Sequence, residues 1–197
     1  MNMKKFLALS IISVSSIIAH AESYKLDESH TTIGFKVKHL VISTVTGRFN
    51  KFEGSGNFDE KTKTLKDLKA TIQVSSIDTN EADRDKHLKS PDFFNADKFP
   101  TITAEIKSAN FAKADDASLK LKLKIRDITK DVDFAAKFLG TVTDPWGNKR
   151  IAFEGKGKVN RKDFGVSWNK TLDKGGVMVD DMVEIFIEGE AIAEAKK

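Results

Sequence analysis

The feature that most constrains this chain is a strict alternation of apolar and polar residues, repeated in many short segments. The clearest example is residues 119–126 (LKLKLKIR), where four apolar residues alternate with four basic ones. A period of two places successive side chains on opposite faces of a β-strand. The alternation therefore predicts strands at 31–39, 44–58, 68–76, 101–108, 119–125, 132–138, 151–159 and 183–191.

The connections between these strands are short. The segments 119–125 and 132–138 are predicted to form a hairpin with its turn at 127–130. One short helix is predicted at 81–89, with an N-cap supplied by Asp78, Thr79 or Asn80.

A helix of this length cannot cover seven or eight strands, so the apolar strand faces must bury one another. They can do so in a sandwich or in a closed barrel. Strands of about nine residues or more with internal glycines favour a strongly curved, closed barrel. We therefore predict an all-β fold, an extended antiparallel eight-stranded barrel with one or two short helices.

The predicted barrel interior is almost free of formal charge. A barrel of about eight strands is either filled by its own side chains or holds one small ligand, and the alternation leaves both outcomes open. Small residues at predicted inward positions favour a hollow, because they leave room between larger side chains. These small residues are Gly47, Ala70, Ala104, Ala136, Gly155, Gly157, Gly189 and Ala191.

The amino terminus has the layout of a secretory signal peptide. Lys4 and Lys5 precede a 13-residue uncharged core, which ends at Ala19-His20-Ala21. We predict cleavage after Ala21, a single mature domain at 22–197 and a periplasmic location, with an uncleaved membrane anchor as the less favoured alternative.

Charge and cysteine content exclude several classes of function. Removing the two signal-peptide lysines from 33 basic residues leaves 31, against 29 acidic ones, so nucleic acid is not an expected partner. The absence of cysteine excludes thiol catalysis and thiolate metal sites. His30, His39 and His87 do not follow a recognised zinc spacing, so we expect no metal and no cofactor.

Arg84, Asp85 and His87 form the densest polar cluster, on the predicted helix. Arginine offers a planar set of donors suited to a phosphate or carbonyl group, so the cluster could bind a ligand head group at the barrel mouth. The alternative is a salt-bridged helical turn that seals the barrel end. His39 is predicted to be a hydrogen-bonded polar residue in the lumen.

A set of distinctive motifs is spread over residues 23–194. The opening motif is Tyr24-Lys25-Leu26-Asp27 with 29–31 (SHT) and 33–39 (IGFKVKH). The central motifs are 76–80 (SIDTN), Arg84-Asp85, His87-Leu88, 92–94 (DFF) and 99–102 (FPTI). The later motifs are 160–166 (NRKDFGV), Trp168, Gly176-Val177 and 183–185 (VEI). Together these motifs resemble those of the YceI-like family, the lipocalin-like polyisoprenoid-binding proteins.

This resemblance implies an elongated barrel in the periplasm that holds a long lipid tail, from a polyisoprenoid, an isoprenoid quinone, a fatty acid or a fatty amide. Two departures from the family pattern stand out. Ala104 replaces a phenylalanine that relatives tend to carry, which affects the width of the lumen. Arg126-Asp127 replaces a glycine-containing turn and is expected to alter only a hairpin.

The predicted function is therefore lipid binding, for sequestration or transport, without catalysis and without stable membrane insertion. The sequence leaves open whether the protein forms a homodimer. An enzyme acting on a lipid head group and a ligand-free barrel that acts as an interaction module are the alternatives. The predicted ligand-contacting residues in the lumen and at its mouth are Phe35, Val37, His39, Phe49, Ile72, Val74, Arg84, Asp85, His87, Leu88, Phe93, Phe94, Leu121, Leu123, Phe134, Phe138, Phe153, Phe164, Trp168 and Ile185.

Overall fold

The computed structural model describes residues 21–112, 116–172 and 176–194. Apart from Ala21, the predicted signal peptide lies outside these residues. The strands are β1 (Glu22–Leu26), β2 (Thr32–His39), β3 (Ser43–Phe49), β4 (Phe52–Asp59), β5 (Thr64–Gln73), β6 (Ile77–Asp78), β7 (Thr101–Asn110), β8 (Asp116–Ile125), β9 (Ile128–Thr143), β10 (Lys149–Asn160) and β11 (Val179–Ala193). The helix is α1 (Ala82–Lys89).

These segments form one closed antiparallel barrel, as the alternation predicted. β1 and β2 run on as one long strand interrupted by a 3-10 turn at Glu28–His30, and β3 and β4 form a second long strand. With β5, β7, β8, β9, β10 and β11 they make eight strands that pair in chain order. β1 closes the barrel by pairing with β11, with Leu26 opposite Ala191.

The pairing between neighbouring strands is uneven around the wall. β8 and β9 pair from Asp116 opposite Lys137 to Ile125 opposite Ile128. β7 and β8, by contrast, pair only from Thr103 to Glu105, opposite Lys122 to Lys124. The wall is thus least tightly joined between β7 and β8.

The outer face of the wall carries the polar half of the alternation. On the β8–β9 pair, Lys120 lies opposite Asp133 and Lys122 opposite Asp131. Lys120 and Asp133 also form an ion pair. Opposite charges directly across a strand pair stabilise its register, which keeps the leucines of β8 on the inner face.

Two local predictions were wrong, and one short strand was missed. The β8–β9 turn is the two-residue Arg126-Asp127 and not 127–130, because Ile125 pairs directly with Ile128 and Arg126 adopts the positive φ (57°) that such a turn needs. β1 was not predicted, since it is only 5 residues long. The N-cap of α1 is Glu81, whose carboxylate accepts from the backbone N–H groups of Asp83 and Arg84.

β5 also differs from the strand predicted at 68–76. It begins at Thr64 and ends at Gln73, after which residues 74–76 form a 3-10 turn. The Ser76 hydroxyl donates to the Gln73 carbonyl at 2.7 Å, and the Val74 N–H donates to the Pro100 carbonyl at 2.9 Å. These bonds bend the chain away from the strand direction.

Buried apolar residues form two clusters inside the barrel, one towards each end. One cluster contains Phe49, Val74, Leu123 and Phe164 and lies near α1, and we call this end the lid end. The other contains Tyr24, Phe58, Phe111 and Leu119, and we call it the distal end. Among the described residues, no helix has the length and apolar character needed to span a bilayer.

Candidate functional site: an apolar lumen

A cavity of about 280 Å³ occupies the interior of the barrel and is bordered by residues of both clusters. One water molecule needs only about 10–15 Å³ of such space, so the interior is hollow and not filled by its own side chains. Fourteen of the predicted ligand-contacting residues line it: Phe35, Val37, Phe49, Ile72, Leu88, Phe93, Phe94, Leu121, Leu123, Phe134, Phe138, Phe153, Phe164 and Ile185.

Most of the lining at the distal end was not among the predicted ligand contacts. β4 was predicted only as part of an interrupted strand, so its inner face was never assigned, and the strand predicted in place of β5 began four residues late. The alternation around Leu119 could have identified that part of the wall. The missed lining residues of the distal end include Tyr24, Leu26, Phe58, Leu65, Leu68, Ile106, Phe111 and Leu119, and Ile102 was missed at the lid end.

The small inward residues do not all widen the lumen. Ala70, Ala104, Ala136 and Ala191 line the cavity, as expected. The glycines do not: a Cβ at Gly155 would overlap the Phe134 ring, and one at Gly47 would overlap the Phe35 ring. These glycines make room for aromatic rings that lie flat on the wall, so the hollow is bounded by the rings.

Aromatic side chains of the wall itself close the distal end. The ring of Phe58 lies 5.0 Å from that of Phe138 and 6.3 Å from that of Tyr24, measured between centroids. Tyr24 is 3% exposed, and burial raises the pKa of its hydroxyl, which donates to Glu22 at 3.4 Å. The Tyr24 hydroxyl therefore stays protonated and points towards Glu22.

A separate segment closes the lid end. Residues 79–100, which we call the lid segment, run from β6 through α1 to β7. The side chains of Leu88, Phe93 and Phe94 face the cavity, and the Phe94 ring lies 6.2 Å from that of Phe49 in the wall. The lid segment therefore supplies part of the apolar lining.

Arg84 and Asp85 do not line the cavity. The Arg84 Nε and Nη2 groups donate to the Thr79 hydroxyl and carbonyl at 2.8 and 2.7 Å. Asp85 accepts from the Thr79 backbone N–H at 2.9 Å and from its hydroxyl at 2.5 Å. Of the two interpretations left open by the sequence, these contacts support the structural one, in which the pair anchors α1.

His87 and Trp168 also lie outside the cavity, on the far side of Phe93. The His87 ring packs edge-on against Phe93 and Trp168, with centroids 5.0 and 4.8 Å away, and its Nε2 lies 3.1 Å from an Asp92 carboxylate oxygen. This aromatic cluster backs the lid segment from outside. A general acid or base at Asp85 or His87 would not face a lipid in the lumen.

Two further predicted residues do not border the cavity. His39 ends β2, opposite Ser43 and Val179, on the strand face that Phe35 and Val37 share, so its position in the lumen stays a prediction. Val74 is 1% exposed and packs within the lid-end cluster behind the lining. The 3-10 turn that begins at Val74 removes it from the inner face of β5.

Within the described ranges, potential metal ligands converge only at Asp27, His30 and Glu190, on the outer wall. Arg150 lies among them: its Nη1 is 2.6 Å from Asp27 and 3.0 Å from Glu190, and its Nε is 2.9 Å from Asp144. Burial disfavours the charged form of Asp144, but bonds from Arg150 and Asn148 outweigh this and lower its pKa to about 2. The group is an ion-pair network centred on arginine.

Arg161 is a lumen residue that the sequence analysis did not select as a site residue. It is 6% exposed, lines the cavity at the lid end, and burial lowers the pKa of its guanidinium. All its N–H donors are used: one by Asp181, and the others by the carbonyls of Asp180, Val166, Trp168 and Val179. The segment Asn160-Arg161-Lys162-Asp163 is polar and is typical of a solvent-exposed turn. The one feature that could have indicated burial of Arg161 is its position at the end of an alternating strand.

Arg126 does more than form a hairpin turn. Its Nη1 donates to the carbonyls of Gly165 at 2.5 Å and of Phe93 at 3.3 Å, and its guanidinium lies 5.4 Å from the Phe99 ring centroid. The expectation that this departure alters only a hairpin is therefore wrong. The arginine also fastens the lid segment to the β10–β11 connection.

Comparison with known proteins shows where this barrel belongs. The model of the YceI-like domain matches residues 24–191. An UPF0312 protein of Pseudomonas aeruginosa is 40% identical over 185 residues, 93% of this chain and 94% of that protein.

Solved structures of related proteins have the same barrel fold. The crystal structure of the Campylobacter jejuni YceI protein is 32% identical, with a TM-score of 0.69 over 86% of this chain and 97% of that one. A polyisoprenoid-binding domain from Saccharophagus degradans has a TM-score of 0.65 at 11% identity, over 89% of this chain and 100% of that one, and so shares the fold. The chain belongs to the YceI-like family.

Proposed function

We propose that this protein binds one long-chain amphiphilic lipid, with the lipid tail in the lumen and the head group towards the lid end. The observation that carries this proposal is the hollow of about 280 Å³ bordered almost entirely by aliphatic and aromatic side chains. Of the four charged residues that border it, Lys69, Lys137 and Glu154 are exposed and Arg161 has no spare donor. Such a site suits a hydrocarbon and not a polar solute.

The binding energy of the tail is sufficient without strong polar contacts. At about 0.8 kcal/mol per buried methylene, a chain of about ten carbons inside the lumen gains roughly 8 kcal/mol, and about twenty carbons gain roughly 16 kcal/mol. Association costs an estimated 4–15 kcal/mol. Longer tails therefore bind with a useful surplus, which favours a polyisoprenoid, an isoprenoid quinone or a long fatty-acid or fatty-amide ligand.

The relative from Saccharophagus degradans, whose barrel has the same fold, is described as polyisoprenoid-binding, which supports the lipid class. We propose further that the protein carries or sequesters this lipid in the periplasm and catalyses no reaction. The support for export is the signal-peptide layout of residues 1–21. Cell fractionation together with the intact mass of the exported protein tests it, and a mass that includes residues 1–21 would contradict cleavage after Ala21.

The lumen is tested by filling it. Ala136 is a small residue that lines the cavity. We expect Ala136→Phe to lose the lipid that co-purifies with the unaltered protein, as measured by native mass spectrometry, while it stays folded.

The neighbouring Ala135 provides the matched control. It is on the same strand as Ala136 but exposed on the outer face. Ala135→Phe should retain lipid as the unaltered protein does. Equal lipid retention in Ala136→Phe and Ala135→Phe would contradict binding in the lumen.

A further inference from the structure

The turn between β2 and β3 presents apolar side chains to solvent. It consists of residues 40–42, and Val41 and Ile42 are 74% and 85% exposed. Soluble proteins seldom leave adjacent aliphatic side chains this exposed without a binding partner. The sequence of the turn is therefore unusual for a solvated loop.

The backbone of this turn is strained as well. Leu40 and Val41 have φ values of 52° and 65°, in the left-handed region. Tight hairpin turns favour Asn and Gly at such positions, because these residues adopt a positive φ at low cost, whereas leucine and valine rarely do. The chain thus accepts a costly backbone conformation at a turn where Val41 and Ile42 are exposed.

The turn lies at the lid end of the lumen. The Leu40 N–H donates to the Met178 carbonyl at 2.8 Å, and Val177 next to it is 41% exposed. Immediately below the turn, Val37 and Val179 line the cavity. The exposed apolar tip thus projects beyond the end of the barrel that the lid segment closes.

The charge of the hairpin has one sign. No aspartate or glutamate occurs from Thr31 to Phe52, whereas four cations do, namely Lys36, Lys38, Arg48 and Lys51. Two of these cations face carboxylates of neighbouring strands, Lys36 opposite Glu184 and Arg48 with Asp78 at 3.3 Å. Lys38 is exposed and lies two residues from the turn.

We propose that residues 40–42 and Lys38 form a docking site for the anionic phospholipid surface of a bilayer. The aliphatic tip enters the boundary between head groups and acyl chains, while Lys38 stays among the anionic head groups. Docking brings the lid end of the lumen against the membrane. It needs no lipid in the lumen, so it can fail or hold independently of the proposed function.

Vesicle flotation tests the docking site. We expect the purified protein to float with vesicles of phosphatidylcholine and phosphatidylglycerol (about 3:1) and much less with phosphatidylcholine alone. Ile42→Asp should lower the partition coefficient at least about tenfold, since an aliphatic side chain is lost from the boundary. Lys38→Ala should lower it about fivefold at low ionic strength.

The control is Val142→Asp, because Val142 is 62% exposed on β9, away from the hairpin. It should float as the unaltered protein does, and Ile42→Asp should keep both its melting temperature and its co-purifying lipid. Failure of the unaltered protein to bind anionic vesicles would overturn the proposal, as would equal flotation of Ile42→Asp. A concentration-dependent dimer that Ile42→Asp dissolves, without vesicle binding, would assign the tip to a second copy of the chain instead.

Discussion

The two ends of the barrel are closed in different ways. At the distal end, the rings of Tyr24, Phe58 and Phe138 pack on one another, and all three belong to wall strands. At the lid end the closure is a separate segment, held by arginine side chains that donate mostly to backbone carbonyls. Arg84 binds Thr79 within the segment, and Arg126 fastens it to the β10–β11 connection.

The two ends differ in the contacts that must break before the lumen can open. Opening the distal end requires wall strands to separate, which breaks backbone pairing along their length. Opening the lid end requires only a few side-chain hydrogen bonds and the apolar contacts of the lid segment to break. Low-stability segments of this kind are the ones that move when ligands enter. If the lumen binds a lipid, as we propose, we expect the lipid to exchange through the lid end.

The largest effect is expected at Arg161. Arg161→Met removes a buried cation and leaves the carbonyls of Val166, Trp168 and Asp180 without its donors, whereas Val179 keeps Asn169 and Asp181 keeps Lys162. Because buried carbonyls without a donor are costly, we expect a loss of about 3–5 kcal/mol in the free energy of unfolding, measured by chemical denaturation. Lys120→Met should cost less than about 1 kcal/mol, because its ion pair with Asp133 is exposed and water solvates the carboxylate that remains. Equal losses would remove the distinction between interior and outer-wall cations.

The next effect tests how the wall accommodates aromatic rings. In Gly155→Val the new side chain overlaps Phe134 and drives the ring into the lumen, at a cost of about 1–3 kcal/mol. The Gly155→Val variant should also retain less lipid than the unaltered protein, because the displaced ring occupies part of the lumen. Lys156→Val, one residue along on the outer face, should change stability by less than about 0.5 kcal/mol. A stable Gly155→Val variant that keeps its lipid would show that Phe134 has other space to occupy.

Arg84→Ala tests whether the polar cluster on α1 anchors the lid segment or binds a head group. Loss of the two hydrogen bonds to Thr79 should lower the free energy of unfolding by about 1–2 kcal/mol, while lipid retention in native mass spectrometry stays unchanged. Lys86→Ala, on the exposed side of α1, is the control. Loss of lipid with unchanged stability would instead assign Arg84 to head-group binding.

The smallest expected effect is a pH-dependent change in melting temperature, and it comes from Asp144 in the ion-pair network around Arg150. The pKa of Asp144 is lowered to about 2 in the folded protein, against about 3.9 in an unfolded chain, so its ionised form stabilises the fold above pH 4. That contribution is lost as the pH falls towards 2. The difference in melting temperature between the unaltered protein and Asp144→Asn should therefore shrink from about pH 5 to about pH 2. A constant difference would mean that Asp144 contributes through packing alone.

The sequence predicted the wall better than the closure. The alternation at 119–125 and 132–138 identified the β8–β9 pair and its inner faces, because a period of two follows directly from strand geometry. It could not show whether the faces meet or leave a hollow, since volume depends on how far rings such as Phe134 spread. The role of Arg126 depends on contacts with Phe93 and Gly165, which are distant in sequence.

Under the proposed function, the apolar strand faces enclose a space that holds a hydrocarbon chain. Methyl NMR of protein labelled at leucine and isoleucine methyl groups, with an unlabelled long-chain prenol added, tests whether the chain enters this space. We predict intermolecular NOEs to the methyls of Ile102, Ile106 and Leu121 in the lumen, and none to Leu139, which is 52% exposed. NOEs confined to Leu139 and other surface methyls, or none at all at saturating prenol, would contradict the account.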